Sequence, residues 1–460
     1  MNKEMSLLWS ALAGLLMSFS HDQAPWFAVL GIAIICECVK TKTPRTAIVP
    51  ALLFGGFDGL GFWSFILNGW DVFGVAWLMH LFFRMAFVVL LPRLFRGRWG
   101  TPVTVASLWC GIEYIRTLLA WNPAPLGDGF AYQLWFIQIA DLGGTYLVGF
   151  VVVWLGASLY AARSQGSIMM GVPAVCAFLL SSLYSLYHLQ TEEERPDEKS
   201  LNIALVQASI PYWFYEFAAK DFEFSQVLKS AYTDSLTQVP SDVDLIVWPE
   251  TALPHDPSKE EKLRETLSST TRPALLAGLP RYRNDGINFN SVWYIEPGFD
   301  SAQIYDKRKN VPVIEAGLGA GTKGNVLGPV EVPIAPVICW ESVFPSLFDH
   351  AKDAKAIAVF TDPGAFGHTN IAELHARKTV LRAIERRRPA IHSSQVGPSL
   401  LIDSSGEVTH HLPVWKSGIL IGRINLKSKQ SIFTKTEGIF APLTLGYTLA
   451  VLLFGFRRQD

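Results

Sequence analysis

Charge is scarce in this 460-residue chain. Charged residues make up 17% of it, against roughly 25% in an average soluble protein. Lys plus Arg number 39 and Asp plus Glu 40, a net charge of −1. That balance leaves no basic stripe and argues against a nucleic-acid binder. Cysteine is equally sparse, with five residues, which excludes a disulfide scaffold. No repeat of fixed period runs through the chain, and no collagen-like glycine pattern. Apolar residues make up 50% and Trp alone numbers 15, so a disordered chain is excluded. The length predicts two or more domains.

The apolar residues are not spread evenly. From Met5 to about Gln190 charges are few. From Thr191 to Glu437 the pattern is that of a soluble domain, and from Gly438 to Phe456 the chain is apolar again. A spanning helix needs about 20 apolar residues. This predicts an N-terminal transmembrane domain over 1–190 with about seven helices, a soluble domain over 191–437, and a C-terminal transmembrane helix with a short tail over 438–460. Spans are placed near 5–20, 24–39, 47–67, 71–91, 102–120, 143–162, 167–188 and 438–456. The first two are short, and 124–142 is expected to lie in the membrane interface.

Basic residues alternate between the loops. Lys3, then Lys40, Lys42 and Arg45, then Arg93, Arg96 and Arg98, then Arg163, and finally Arg457 and Arg458 fall on one side. The loops His21 to Pro25, Asn68 to Asp71 and Trp121 to Gln133 carry no Lys or Arg. By the positive-inside rule both termini are cytoplasmic and the soluble domain lies opposite. A cleaved signal peptide is not expected, because further spans follow without a break. Inside the spans lie Asp58, His80, Arg84, Glu113 and Arg116. Charges at that depth are costly and usually face the protein interior. The expected arrangement is an Arg84–Glu113 pair that locks helices together; the alternative is contact with a lipid head group.

The soluble domain alternates strands and helices, which implies sheets covered by helices. Strands are expected at Leu201 to Ile210, Asp244 to Trp248, Pro273 to Leu279, Ser291 to Ile295 and Ala302 to Tyr305. More follow at Glu331 to Ile338, Ala356 to Phe360, Pro389 to Ser394, Ser399 to Ile402 and Ile419 to Ile424. Helices are expected at Glu216 to Leu236, Glu260 to Ser269 and about Asn370 to Arg387. Several strands follow one another directly, so a simple doubly wound sheet is excluded.

Four of the five cysteines, Cys36, Cys38, Cys110 and Cys176, fall in the apolar spans. Cys339 is alone in the soluble domain and has no partner there for a disulfide. It is either a small buried hydrophobe at a strand end or a nucleophile. It ends the apolar run VPIAPVIC and precedes Trp340-Glu341-Ser342. At such a strand end a nucleophile is exposed and the next backbone N–H can face an oxyanion. Glu250 also ends an apolar strand, after Trp248-Pro249, where partial desolvation suits a general base. Lys307 follows a third strand and can stabilise developing negative charge. Glu, Lys and Cys at three strand ends are compatible with a nucleophilic site, although many α/β domains have polar strand ends.

Three segments carry a closer likeness. WPETALP (Trp248 to Pro254), YDKRKNVPVIE (Tyr305 to Glu315) and VICWESVFP (Val337 to Pro345) resemble the nitrilase superfamily with its Glu–Lys–Cys triad. Combined with an N-terminal membrane domain they resemble the apolipoprotein N-acyltransferase family. PLGDGFAYQ (Pro125 to Gln133), ADLGGTYLVGF (Ala140 to Phe150), VQASIP (Val206 to Pro211) and FNSVWYI (Phe289 to Ile295) extend the resemblance to nearly the whole chain. It implies a multi-pass α-helical membrane domain plus an α/β nitrilase-like soluble domain, an α-β-β-α sandwich. It also implies Glu250 as general base, Lys307 as the oxyanion-stabilising residue and Cys339 as nucleophile. Glu315 matches a supporting Glu, Glu341 the Glu two after the Cys, and Trp340 an aromatic position often held by Tyr.

The chain departs from the family in places. VPVIE stands for the usual VPFGE. TDPGAFG (Thr361 to Gly367) stands for TND-x-W-F-G, so Asn becomes Asp362 and the Trp is lost. The Gly-rich stretch after Glu315 lacks the usual Tyr-Val-Pro, and 316–330 reads either as a lid or as a connection. These changes bear on substrate identity more than on the chemistry.

The resemblance implies ping-pong acyl transfer from a phospholipid, through a Cys339 thioester, to the amine of a diacylglyceryl-cysteine lipoprotein. It needs no metal or cofactor. The partners implied are a phospholipid, a lipoprotein acceptor and the bilayer of the bacterial inner membrane, with the catalytic domain periplasmic and the protein a monomer. The alternatives are a nitrilase-type membrane acyltransferase or amidase acting on another amine or amide, as in a plasmid conjugation system, and a non-catalytic scaffold. All three triad positions are present, which counts against the scaffold.

Minor signals read as structural. GAGTKG (Gly319 to Gly324) misses the phosphate-loop order because Lys323 follows Thr322. His368, Glu373 and His375 lack metal-site spacing and read as loop and helix surface. Arg386-Arg387-Arg388 ends a helix, where positive charge complements the dipole. Trp415 and Phe433 read as membrane-surface anchors, and His410-His411 as a solvated turn.

Overall fold

The structure is a computed structural model. It describes residues 3–21, 24–62, 70–96, 101–119, 124–192, 199–218, 220–268, 273–298, 302–312 and 314–454. Arg98, Arg457, Arg458, residues 63–67, 120 and 455–456 of the expected spans, and parts of the three loops, 22–23, 68–69 and 121–123, lie outside the described residues. The chain divides into two compact units, Met1–Gln190 with Lys435–Asp460, and Thr191–Thr434.

The first unit is helical. Its helices are α1 (Lys3–Ser20), α2 (Phe27–Val39), α3 (Ile48–Asp58), α4 (Trp70–Arg96), α5 (Pro102–Leu118), α6 (Ala140–Gln165), α7 (Val172–Glu192) and a final helix, Phe440–Phe454. Boundaries follow local chemistry. Thr101 caps α5 by accepting the Thr104 N–H, with Pro102 at the first helical position. Gly166 closes α6 in the left-handed conformation. Among the described residues three stretches are long and apolar enough to cross a membrane: Gly74–Phe95, Ala140–Gln165 and Val172–Thr191. Phe27–Val39, Ile48–Gly61 and Phe440–Phe454 are apolar but only 10–17 residues long.

The polar residues of this unit converge on one carboxylate. Asp58 accepts from Arg84 Nε at 2.6 Å and from His80 Nε2 at 2.9 Å, and His21 Nε2 lies 3.0 Å away. Arg116 donates to His80 Nδ1 at 3.1 Å. That nitrogen is therefore an acceptor, and the ring proton sits on Nε2 facing Asp58. The expected Arg84–Glu113 pair is only a secondary contact at 3.7 Å. Asp58 outcompetes it because it sits directly on Nε, while Glu113 Oε1 turns to the Leu126 N–H at 2.9 Å. Arg84 also covers the Trp109 ring at 3.9 Å.

The stretch 124–142 is part buried and part exposed, with Tyr132 and Trp135 outward. Leu126, Asp128, Phe130, Phe136 and Ile137 are buried inside this unit. The Thr145 hydroxyl donates to Asp128 Oδ1 at 2.7 Å. Gly127 seats so closely that a Cβ would stand 2.1 Å from the Thr145 carbonyl oxygen.

The second unit stacks two sheets between helices. One has the order β11-β1-β2-β3-β4-β5 and the other β10-β9-β8-β7-β6. The strands are β1 (Ser200–Gln207), β2 (Leu245–Trp248), β3 (Ala274–Tyr282), β4 (Asn288–Ile295), β5 (Gln303–Asp306) and β6 (Ile334–Ile338). They continue with β7 (Ala356–Thr361), β8 (Ala390–Ser394), β9 (Ser399–Ile402), β10 (Val408–Leu412) and β11 (Gly418–Asn425). Strands β1–β3 and β6–β8 run parallel, and the outer strands antiparallel. Alternate residues of β1 go to different cores. Ile203 and Leu205 pack with Ile338, Phe360 and Ile391 between the sheets. Ala204 and Val206 pack with Leu228, Tyr232 and Leu263 of the helical layer. Both faces are buried, so the strands read as continuous apolar runs. The result is the α-β-β-α sandwich.

Several elements differ from the sequence reading. The expected helix Glu216 to Leu236 is broken into α8 (Tyr212–Ala218), α9 (Phe222–Thr233) and one further turn, Ser235–Gln238. The break is at Asp221, whose carboxylate caps α9 through the Glu223 and Phe224 N–H groups. β6 starts at Ile334 rather than Glu331, just after Pro333. His410 and His411 lie in β10, paired with Leu401 and Leu400 of β9, not in a turn. Helix α10 (Glu261–Leu267) is as expected, and α11 (Ile371–Arg386) ends at Arg387 with φ 51°.

Arg386, Arg387 and Arg388 end α11 as expected, and all three are buried. Arg388 is buried and donates to the carbonyls of Ala354, Ser428 and Lys429, and Arg386 donates to the Pro345 carbonyl. They join loops that the sequence could not bring together. Phe433 is buried with Arg386 over its ring at 5.0 Å, so it is no surface anchor. The Trp415 ring lies tilted against His368, with centroids 4.6 Å apart.

Asp58→Asn removes the charge on which Arg84 and two histidines depend. Breaking such a buried cluster costs about 3–5 kcal/mol. The variant should melt well below the wild type in detergent; an equal Tm would contradict the central role of Asp58.

Candidate active site

Three strand ends meet in the second unit. Glu250 follows β2 after Pro249, Lys307 follows β5, and Cys339 follows β6. All three are buried, with 5%, 1% and 8% of their surface exposed. The parallel strands β2 and β6 deliver Glu250 and Cys339 at their carboxyl ends, where α/β folds place their sites.

Cys339 has φ 49° and Thr251, next to Glu250, has φ 50°. Non-glycine residues seldom adopt this left-handed region, and such strain gathers at functional positions. Cys339 opens a tight turn, Cys339–Val343. In that first turn no main-chain acceptor takes the Trp340 N–H among the described residues. Gly278 of β3 allows the approach of the Glu250 segment: a Cβ there would lie 2.4 Å from the Pro249 oxygen and 2.6 Å from Glu250 Cα.

Lys307 Nζ is shared by two carboxylates, Glu315 Oε1 at 2.8 Å and Glu250 Oε1 at 3.2 Å. Burial opposes its charge, yet Glu250, Cys339 and Glu315 together hold the ammonium above its ordinary pKa. Lys307 therefore stays cationic. The Cys339 thiol is pushed well above its usual range, first by burial and then by the Glu250 charge, which Lys307 partly offsets. The resting thiol is thus protonated, with the Glu250 carboxylate among the charges that act on it. Glu250 Oε1 also accepts from Asn290 Nδ2 at 2.7 Å, and Oε2 from the Asp362 N–H at 2.8 Å.

Glu315 joins this cluster. Besides Lys307 it accepts from Asn290 Nδ2 at 3.1 Å and from the Val311 N–H at 2.6 Å. Glu341 does not join it directly. Its oxygens accept from the Ile338 N–H at 2.7 Å, the Arg308 N–H at 2.6 Å and the Tyr305 hydroxyl at 2.9 Å. It ties the end of β5 to the end of β6 and so fixes Lys307 against Cys339. Burial raises the Glu341 pKa. The Trp340 ring stands edge-on to Phe344 at 6.0 Å.

Two residues of this cluster escaped the sequence reading. Asn290 bridges Glu250 and Glu315, and its carbonyl accepts the Lys307 N–H at 2.9 Å. The available signal was a lone amide inside the apolar strand FNSVWYI. His375, read as surface, is buried and bonds the Ser342 hydroxyl at 3.0 Å, two residues beyond Trp340. Residues 316–330 rest on the strands: the Gly319 N–H meets the Asn288 carbonyl at 2.8 Å and the Gly321 N–H meets the Lys307 carbonyl at 2.7 Å. Their N–H groups serve the fold, and GAGTKG does not open a helix as a phosphate loop would.

Residues 202–432 match the carbon-nitrogen hydrolase family, and residues 13–158 match the apolipoprotein N-acyltransferase N-terminal domain. The chain belongs to the carbon-nitrogen hydrolase family, in its apolipoprotein N-acyltransferase branch. Relatives include the apolipoprotein N-acyltransferase of Geobacter metallireducens, 24% identical over 98% of this chain and 96% of that one. That of Azotobacter vinelandii is 26% identical over 91% and 89%. Among solved structures, Saccharomyces cerevisiae Nit3, a nitrilase-superfamily member, aligns with TM-score 0.40 and 16% identity over 56% of this chain and 97% of that one.

Glu341→Gln would leave one buried N–H facing another donor. Such an orphan costs about 1–3 kcal/mol. The variant should unfold at lower urea concentration than the wild type, and an unchanged midpoint would refute the tie.

Proposed function

We propose that the protein transfers a fatty acyl chain from a phospholipid, through a thioester on Cys339, to the α-amino group of a diacylglyceryl-cysteine lipoprotein. The observation that carries this reading is a strained, buried cysteine beside a carboxylate that shares a lysine with a second carboxylate. The family branch and the apolar helices support a lipid substrate. The relatives' name supports the lipoprotein acceptor.

Glu250 takes the thiol proton as the sulfur attacks the ester carbonyl. The tetrahedral oxyanion is held by the Lys307 ammonium and the Trp340 N–H. Collapse breaks the ester C–O bond, and Glu250 returns the proton to the leaving lysophospholipid. The acceptor amine then attacks the thioester, Glu250 takes its proton, and Cys339 leaves as thiolate and recovers the proton. Glu315 and Asn290 keep Lys307 and Glu250 in place. The loop charges support an inner-membrane protein with its catalytic unit on the periplasmic side. The Asp362 departure favours a second reading, the same chemistry with another amine as acceptor.

Intact mass spectrometry after incubation with phospholipid tests the first half-reaction. The wild type should gain one acyl chain, released by hydroxylamine, and Cys339→Ala should gain nothing. An unmodified, folded wild type would overturn the lipid-donor mechanism. A lipopeptide acceptor with a free α-amine, set against other amines, separates the two readings. Gly278→Ala pushes the Glu250 segment away, and a shift of about 1 Å costs about 10²-fold in rate. Acyl-enzyme formation should slow by that order, with the folded state retained.

A further inference from the structure

Glu250 has a carboxyl neighbour outside the roles assigned above. Asp362, at the end of β7, donates its own N–H to Glu250 Oε2 at 2.8 Å. Its side chain turns back to accept the Gly364 N–H at 3.0 Å, and Thr251 is among the groups that lower its pKa. Thr251 is the strained residue next to Glu250. The groups facing Asp362 are Glu250 from the end of β2, Tyr212 and Tyr215 from α8, and Tyr232 from α9. Among the described residues no cation pairs with Asp362. Lys307 bonds Glu250 and Glu315 instead. Half-buried Asp362 thus stands beside buried Glu250, while the Lys307 ammonium bonds Glu250 and Glu315.

We propose that Asp362 is a positioning and tuning residue of the acid–base centre, whose ionisation sets how strongly Glu250 draws the proton from Cys339. The inference rests on Glu250 acting as the base for Cys339. Two interacting carboxyls titrate as a pair, and like charges in one site keep one of them protonated. Burial first, and then the Glu250 charge, push the Asp362 carboxyl up to about 7, against the Gly364 and Thr251 hydrogen bonds. Below that pH Asp362 is neutral; above it Asp362 is anionic, and its charge beside Glu250 favours transfer of the Cys339 proton onto Glu250. An Asn at this position would keep the backbone contact but could not titrate.

Alkylation by iodoacetamide reads this directly, without any lipid substrate. The reaction forms an S–C bond at Cys339, expels iodide, and leaves the thiol proton on Glu250, which passes it to water. Cys36, Cys38, Cys110 and Cys176 are also free, so the rate is followed on the Cys339 peptide by mass spectrometry. Every thiol alkylates faster as the pH rises, because its thiolate fraction grows, so the reading is the ratio of wild-type to variant rate at each pH. Against Asp362→Asn and Asp362→Ser, the second still able to cap the following turn, that ratio should rise about tenfold from pH 6 to pH 8, since a coupling of about one pK unit is a factor of ten. In a Glu250→Gln background Asp362→Asn should leave the profile unchanged. A ratio that stays constant with pH for either folded Asp362 variant, or an effect of Asp362→Asn retained in the Glu250→Gln background, overturns the proposal. A failure to form an acyl-enzyme from phospholipid would overturn the lipid-donor reading and leave this result standing.

Discussion

A lysine ammonium in a dry cavity needs anions within a few ångström, and Lys307 has two. Burial of an unpaired charge is prohibitive, so the chain must bring Glu250 and Glu315 to Lys307 wherever Lys307 is buried. Glu315 is eight residues away and can arrive locally. Glu250 is 57 residues away and arrives only through the pairing of β2, β3, β4 and β5. Asn290, at the edge of β4, completes the bracket by donating to both carboxylates. The same ammonium lies where charge on Cys339 would develop. The cluster that makes burial of Lys307 tolerable therefore also assembles the nucleophilic site.

The surrounding structure keeps that cluster rigid. Glu341 joins the chain after β5 to the chain after β6, using acceptors in pairs so that no N–H is left dry. Gly278 allows the Glu250 segment to lie against β3 at a distance no side chain would permit. The positive φ values at Thr251 and Cys339 hold the two reactive groups on chain reversals, where side chains of a smooth strand would point into the sheet. Such strain persists only because neighbouring contacts over-determine it. On the far side of the sandwich Arg388 and Arg386 saturate loop carbonyls.

The helical unit solves the same problem with different groups. Asp58 gathers Arg84, His80 and His21, and Arg116 reaches it through His80. Each polar side chain is a liability in an apolar surround until it is paired. One carboxylate serving several helices fixes their rotation as well as their spacing. Leu126, Asp128 and Phe130 fold inward, and Asp128 and the Leu126 N–H find partners on α6 and α5.

Much of this was legible in the residues. The break between apolar and mixed composition separates the two units, because hydrophobic surface must be buried or covered by lipid. The three strand-end residues Glu250, Lys307 and Cys339 stood out because a charged or nucleophilic group after an apolar run lies at the edge of a sheet. Charge separation alone could not say which pairs form. Arg84 and Glu113 have the right signs, yet Asp58 is nearer. Local pattern misread His410 and His411, which extend an edge strand, and Phe433, which Arg386 covers. Asn290, His375 and the position of Asp362 beside Glu250 depend on contacts across dozens of residues. Sequence by itself determined which residues carry chemistry and which segments are apolar, since these follow from side-chain type and short-range periodicity. Only the tertiary structure decided which charges meet, because that depends on strand order and on distances of a few tenths of an ångström.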